Sequence, residues 1–360
     1  MRLASIAREA ALNVRSGTTR AATFATALVF GISLLAGADI AAVAEIQREA
    51  RQFQAAGGST LIYRMNAGIS GEACEALASV DGVRAAGAVR QEPAAAHAGA
   101  LPGHEIPTFS VSPNFQGFQA IGNPTAHGGV IVSGDLAAAL GLREGDVAEF
   151  VEGSPRIDSV YTYDDDGRRP GLGYAVLVPS PTTAPFDECW AETWPMSNGL
   201  TSLLSSTLVP GAVTLGSGGP TPQLLQLNST LGATFDGTKR FAGRITRFAP
   251  EAAAALALVL GFVAVRLRRL EFASALHART KRSAQTLQIL LETVGWTIAA
   301  SMIGALIVLV LIRTQYPGDM GDLISVGIPT FASLPATLVG ALVGSALVRE
   351  RNLFAYFRER

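Results

Sequence analysis

A chain of 360 residues in which 49% are apolar and 16% charged, with a mean hydropathy of +0.32, is too hydrophobic for an ordinary soluble globule and too charged to consist of membrane helices alone. Its net charge of −1 offers no general attraction to nucleic acid, so no nucleic-acid partner is expected. His97, His104 and His127 share no tight ligand spacing with Cys74 and Cys189, which argues against a metal site.

Residues 1–20 carry Arg2, Arg8, Arg15 and Arg20 against Glu9, and Ala21–Val43 is apolar apart from Thr, Ser and Asp39. As a helix that run spans about 35 Å, enough for a bilayer. A small-residue site at Ala36–Ala38 would suit a signal peptidase, but the long basic lead and long apolar run favour a retained span. Helix formers continue through Ala44–Gln54 until Gly57-Gly58, so the first span is expected to project as a stalk.

Beyond the stalk the pattern alternates short elements. Ser59–Met65 reads as a strand, Ser70–Ser79 as a helix capped by Ser70, and Gly82–Val89 as a second strand. Residues 92–128 read as irregular around a candidate strand at Thr108–Ser112. A strand, helix and strand follow at Gly129–Ser133, Asp135–Gly141 and Asp146–Glu152, with Ser133 as cap and Gly141 as stop. Asp164-Asp165-Asp166-Gly167 lacks the rest of a calcium loop and reads as a hairpin turn between Val160–Tyr163 and Tyr174–Val178. Phe186–Trp190 is a candidate helix that sets Cys189 against the helix bearing Cys74. Both cysteines fall in the stretch assigned outside the cytoplasm, so a disulfide between them is expected. Gly216–Pro220 reads as a flexible loop and Thr221–Leu227 as a possible helix.

The C-terminal third is dominated by apolar runs. Pro250-Glu251 suits a helix start, and spans are expected at 249–267, 289–312 and 323–348. Between the first two of these, Arg266, Arg268, Arg269, Arg279, Lys281 and Arg282 crowd into 17 residues against the single acid Glu271. Short basic loops stay in the cytoplasm, and the tail 349–360 is also basic. The expected order is therefore a cytoplasmic N-terminus (1–20), a first span (21–43), an extracytoplasmic domain (44–248), a second span (249–267), a cytoplasmic segment (268–288), a third span (289–312), a short outer loop (313–322), a fourth span (323–348) and a cytoplasmic tail (349–360), in a multi-pass protein of the cell membrane. No G-x-x-x-x-G-K-[ST] and no nucleophile elbow or triad-like motif occurs, so no catalytic, cofactor-binding or metal-binding residue is assigned.

The segment Arg268, Glu271, Phe272, Ala273, followed by Lys281 and Arg282, resembles the cytoplasmic loop of FtsX-like and MacB-like permeases of type VII ABC transporters. The run VIVSGDLAAALGLREGDVAEF likewise resembles the I-S-x-x-L-A-x-x-L-G-L-x-x-G-D motif of MacB-like extracytoplasmic domains. The resemblance implies four transmembrane helices with a large α+β extracytoplasmic domain between the first two. It also implies a separate ABC ATPase subunit that binds the ATP, and a second permease chain, identical or paralogous. The function implied is mechanotransmission, with export or extrusion of a peptide, lipoprotein or drug. A scaffold that activates a cell-wall hydrolase, as FtsX does, is the alternative, and neither reading makes the chain an enzyme.

In that family the basic loop is a coupling helix. Phe272 and Leu276 are four residues apart and would share the face that enters an ATPase groove, with Arg268, Arg269 and Glu271 as its polar rim. Arg279 stands close to where relatives carry glycine. Glu292 is expected at headgroup depth, paired with Arg266, Arg268 or Arg349 among membrane lipids.

Overall fold

The computed structural model describes residues 3–122, 128–196, 199–212, 221–315, 323–350 and 353–358, with the backbone alone at 101, 315, 323–331, 354 and 355. The expected loops at 216–220 and around Asp319 and Asp322 lie outside the described residues. The chain divides into one unit of residues 48–237 and another of residues 1–47 with 238–360.

The chain opens with α1 (Leu3–Arg15) and α2 (Ala21–Ala55). The basic lead thus holds a helix, with Ile6 and Ala10 buried and Arg8, Leu12 and Arg15 exposed.

Residues 48–237 form a mixed sheet. Its elements are β1 (Thr60–Ile69), α3 (Gly71–Ala76), β2 (Val83–Gln91), β3 (Ala96–Ala98), β4 (Leu101–Ile106), β5 (Thr108–Val111), β6 (Val130–Ser133), α4 (Gly134–Leu140), β7 (Ile157–Tyr161), β8 (Val176–Pro179), β9 (Phe186–Thr193), α5 (Leu200–Ser205) and β10 (Gln223–Gln226). Eight strands run in the order β10-β1-β9-β2-β5-β8-β6-β7, and β3 pairs with β4 apart from them. Ser70 and Ser133 cap α3 and α4 through their side chains, and Gly141 ends α4 at φ 66°, where glycine carries no steric cost.

Four local expectations give way to long-range pairing. Phe186–Trp190 is strand, not helix: β9 lies between β1 and β2 with both faces covered, so apolar residues on successive positions are all buried. The segment Val160–Tyr163 and Tyr174–Val178 forms no hairpin, because β6 separates β7 from β8. Asp146–Glu152 makes only isolated bridges, and Thr221–Leu227 contributes the edge strand β10 instead of a helix. The irregular stretch 92–128 contains the β3–β4 pair.

Large side chains close one face of this sheet. Trp190 meets Phe115 at 5.7 Å and Phe118 at 6.1 Å between ring centroids, both edge-on. The other face buries the Cys74–Cys189 disulfide (S–S 1.98 Å, Cα–Cα 5.7 Å) among Leu77, Phe186, Leu200 and Leu204.

The second unit continues with α6 (Gly237–Gly243), a 3-10 turn (Ile245–Phe248), α7 (Ala249–Arg266), α8 (Arg269–His277), α9 (Arg282–Gln315), α10 (Leu323–Ala346) and α11 (Leu353–Arg358). Among the described residues, three helices are long and apolar enough to cross a membrane: Ala21–Ala55, Ile245–Arg266 and Arg282–Thr314. The described apolar part of the fourth expected span is shorter, Ala332–Ala346.

Helices α7 and α10 pack through small residues. Ala253, Ala257 and Gly261 form the buried stripe of α7. A Cβ on Gly261 would run into the Thr337 carbonyl oxygen, and one on Gly340 into that of Leu258, so the two backbones touch where side chains are missing. Helix α2 packs on α9 through Phe24 and Trp296, whose rings are 6.0 Å apart, and lower down through Ala36 beside Val308 and Ile312.

Candidate functional site: a buried ion pair beneath the basic turn

The basic segment folds as α8 between α7 and α9. Arg268, just before α8, sends Nη1 to Glu292 Oε2 at 2.5 Å and Nε to Glu271 Oε2 at 2.8 Å, while its guanidinium lies 4.8 Å from the Phe272 ring centre. The other oxygen of Glu292 accepts from Asn13 Nδ2 of α1 at 2.8 Å and from Gln288 Nε2 at 3.2 Å. Glu292 is 5% exposed. Both of its oxygens have donors and a cation faces one of them, which offsets the cost of burying the group. Of the three arginines expected to pair with it, the structure brings Arg268. The result ties α1, the start of α8 and α9 to one buried group.

Phe272 is 6% exposed and packs inward on Val265, Ile289, Ala341 and Val348, with Leu276 half-buried beside it. Its carbonyl accepts from Gln285 Nε2 at 2.8 Å, which fixes α8 on α9. Within this chain Phe272 is therefore a core residue of the helical unit, packed against residues of α7, α9 and α10. The Arg269 guanidinium stacks 5.0 Å from the Tyr356 ring of α11, and His277 Nδ1 lies 2.9 Å from Glu350 Oε1. Glu271, Ser274, His277, Arg279, Lys281 and Arg282 remain exposed. Arg279 adopts φ 63°, the left-handed conformation that suits glycine.

A second constellation surrounds the end of α2, inside residues 48–237. Phe53 is 4% exposed and packs against Trp194 at 6.4 Å and Phe235 at 5.9 Å. Gln54 Oε1 accepts from Arg84 Nη1 at 2.8 Å. The Ala55 carbonyl accepts from Arg168 Nη2 at 3.2 Å, and the same buried guanidinium donates to the Ala120 carbonyl and pairs with Asp164 and Asp166. Three consecutive residues of the last helical turn are thus held by three different parts of the domain. Burial pushes the nearby Tyr163 hydroxyl up to about 12, its proton donated to the Arg169 carbonyl at 2.5 Å.

No family model and no curated protein matches the chain. Among solved structures it is similar to the periplasmic region of MacB from Actinobacillus actinomycetemcomitans, with 9% identity and a TM-score of 0.35 over 50% of this chain and 94% of that one.

Sequence reasoning missed Asn13, Arg84 and Arg168. A signal for Asn13 exists in the apolar Ile6, Ala10, Val14 spacing, which places it beside the buried stripe of a helix. Arg168 has none, since its partners at Ala55 and Ala120 are backbone carbonyls far away in sequence. Asp39 of α2 is likewise matched only in space, by Arg244 Nε at 2.9 Å. Among the described residues no group of three or more His, Cys, Asp or Glu gathers as a metal site.

Proposed function

We propose that this chain is the membrane subunit of an ABC transporter, coupling a separate ATPase to movement of an extracytoplasmic domain formed by residues 44–248. The reading is carried by one observation: α2 is a single helix whose first part has membrane-spanning length and apolarity, while Phe53, Gln54 and Ala55 at its far end are clamped into the sheet unit. A displacement of such a helix along its axis moves whatever is fixed to its last turn. In this reading the four apolar helices cross the membrane, the basic turn and both termini face the cytoplasm, and a second permease chain completes the complex.

The coupling surface on this reading is the exposed side of α8 and the turn after it. Glu271 and Arg269 belong to its rim, Arg268 holds the turn to Glu292, and Phe272 and Leu276 support α8 from beneath. Purification of the full chain from its native membrane, with identification of co-eluting proteins, tests the assignment. An ATPase bearing a Walker motif is expected; a cell-wall hydrolase without an ATPase would favour the scaffold reading. Arg168→Ala should leave ATPase association intact but abolish ATP-dependent movement reported by a spin label in residues 48–237.

A further inference from the structure

Two cavities flank α8. The one toward α1, about 250 Å³, is lined by Glu9, Glu271 and Arg268, whose charge is already engaged by Glu292 and Glu271. The other, about 330 Å³, lies between α8, α9 and α10, and no aspartate or glutamate lines it. Its charged group is Arg282, joined by Thr286 one turn along α9 and by Ser345 of α10, over an apolar floor that includes Ile289 and Leu342. Arg282 and Thr286 make no side-chain hydrogen bond or ion pair among the described residues. From Leu342 the exposed apolar face of α10 continues to Val339, away from Arg282.

We infer that this second cavity binds the headgroup of an anionic glycerophospholipid. A guanidinium and the Thr286 hydroxyl, over an apolar floor that continues onto the exposed face of α10, match a phosphodiester joined to acyl chains, while the Ser345 hydroxyl donates to the Leu342 carbonyl at 2.8 Å and lines the wall. Basic pockets between helices at the cytoplasmic face have this chemistry. Arg282 opens α9 about 10 Å ahead of the expected span at 289–312, so it lies on the aqueous side of the headgroups, within reach of them, when α9 crosses the bilayer. The inference rests on the membrane placement proposed above but not on the ATPase. A chain that recruits no ATPase and still selects the lipid would leave it intact.

The test uses the full chain in nanodiscs of mixed phosphatidylglycerol and phosphatidylcholine, with native mass spectrometry of the lipids retained after detergent extraction. Wild type is expected to retain phosphatidylglycerol selectively, and Arg282→Gln to lower that selectivity ~5-fold. Arg282→Lys should keep most of it, and Ser345→Phe, which fills the cavity without changing charge, should lose it. Lys281→Gln, an exposed neighbour outside the cavity, should behave as wild type. Equal losses in Lys281→Gln and Arg282→Gln would mean a diffuse attraction to the loop and overturn the site. Unchanged selectivity in Arg282→Gln would also overturn it, and so would displacement of the lipid by inorganic phosphate, which would assign the cavity to a free anion.

Discussion

One packing contact in each unit shows opposite kinds of residue at work. In residues 48–237, Trp190, Phe115 and Phe118 fill space as interlocked rings, whereas α7 and α10 meet at Gly261 and Gly340, where side chains are absent. Water drives the burial of large apolar area. Hydrocarbon does not, so on the membrane placement proposed above the helices are held by close approach and by polar pairs. Buried charge differs in the same way. Glu188 in the sheet is surrounded by Arg169, Arg64 and the Trp190 indole, while Glu292 among the helices has Arg268 as its one cation among the described residues. The helical unit should therefore fail at single points that the sheet unit would survive.

The largest effect is expected at that pair. Arg268→Leu leaves the Glu292 carboxylate buried without a cation and should destabilise the helical unit by about 3–5 kcal/mol. Adding Glu292→Leu should recover most of the loss, read from thermal unfolding in nanodiscs. If the double variant is no more stable than the single one, the pair is not what holds α1, α8 and α9.

For the sheet unit, replacing Cys74 and Cys189 by alanine reopens a link between residues 115 apart and should cost about 5 kcal/mol at most. Urea unfolding of residues 48–237 within the whole chain, followed by its tryptophans, reports this. The helical contacts should be unchanged. Gly340→Leu makes the reciprocal case: overpacking against the Leu258 backbone should cost about 3 kcal/mol in the helical unit and leave the disulfide resistant to reductant. Loss of both units together would show that their stabilities are not separate.

A smaller effect, of opposite sign, is expected at the turn after α8. Arg279→Gly should stabilise by up to about 1 kcal/mol, since φ 63° no longer opposes a Cβ. The smallest effects are electrostatic and confined to the sheet unit. The Ser110 hydroxyl, 2.6 Å away, and then Arg90 hold the Glu92 carboxyl below the usual range, so its contribution is present above the unfolded carboxylate value and lost as pH falls through the folded one. Burial raises Glu192 instead, so its cost is present above its folded value and absent below the unfolded one. Melting curves against pH should show Glu92→Gln less stable than wild type at neutral pH and Glu192→Gln more stable, with both differences vanishing in acid.

Much of this protein is written locally. The apolar runs at Ala21–Val43, 249–267 and 289–312 set helices of membrane length, because a helix satisfies its own backbone and needs only composition and span. Ser70, Ser133 and Gly141 fixed their helix ends for the same reason: a cap acts within one turn. A shared stretch assigned outside the cytoplasm is enough to expect the pairing of Cys74 with Cys189, although Cys189 stands on a strand and not on the expected helix. Tertiary structure alone decided that β9 enters the centre of the sheet, where Asp187 accepts from the Ala67 and Gln91 amides and Glu188 meets Arg169, so polar residues of a central strand look like those of a surface helix until their partners arrive. It also decided that Phe272 faces inward, since four-residue spacing says which residues share a face and not what that face meets. The pairing of Glu292 with Arg268 and Asn13, and of Arg168 with the Ala55 carbonyl, joins residues up to 279 positions apart. Such contacts depend on where whole elements come to rest, and no local pattern encodes that.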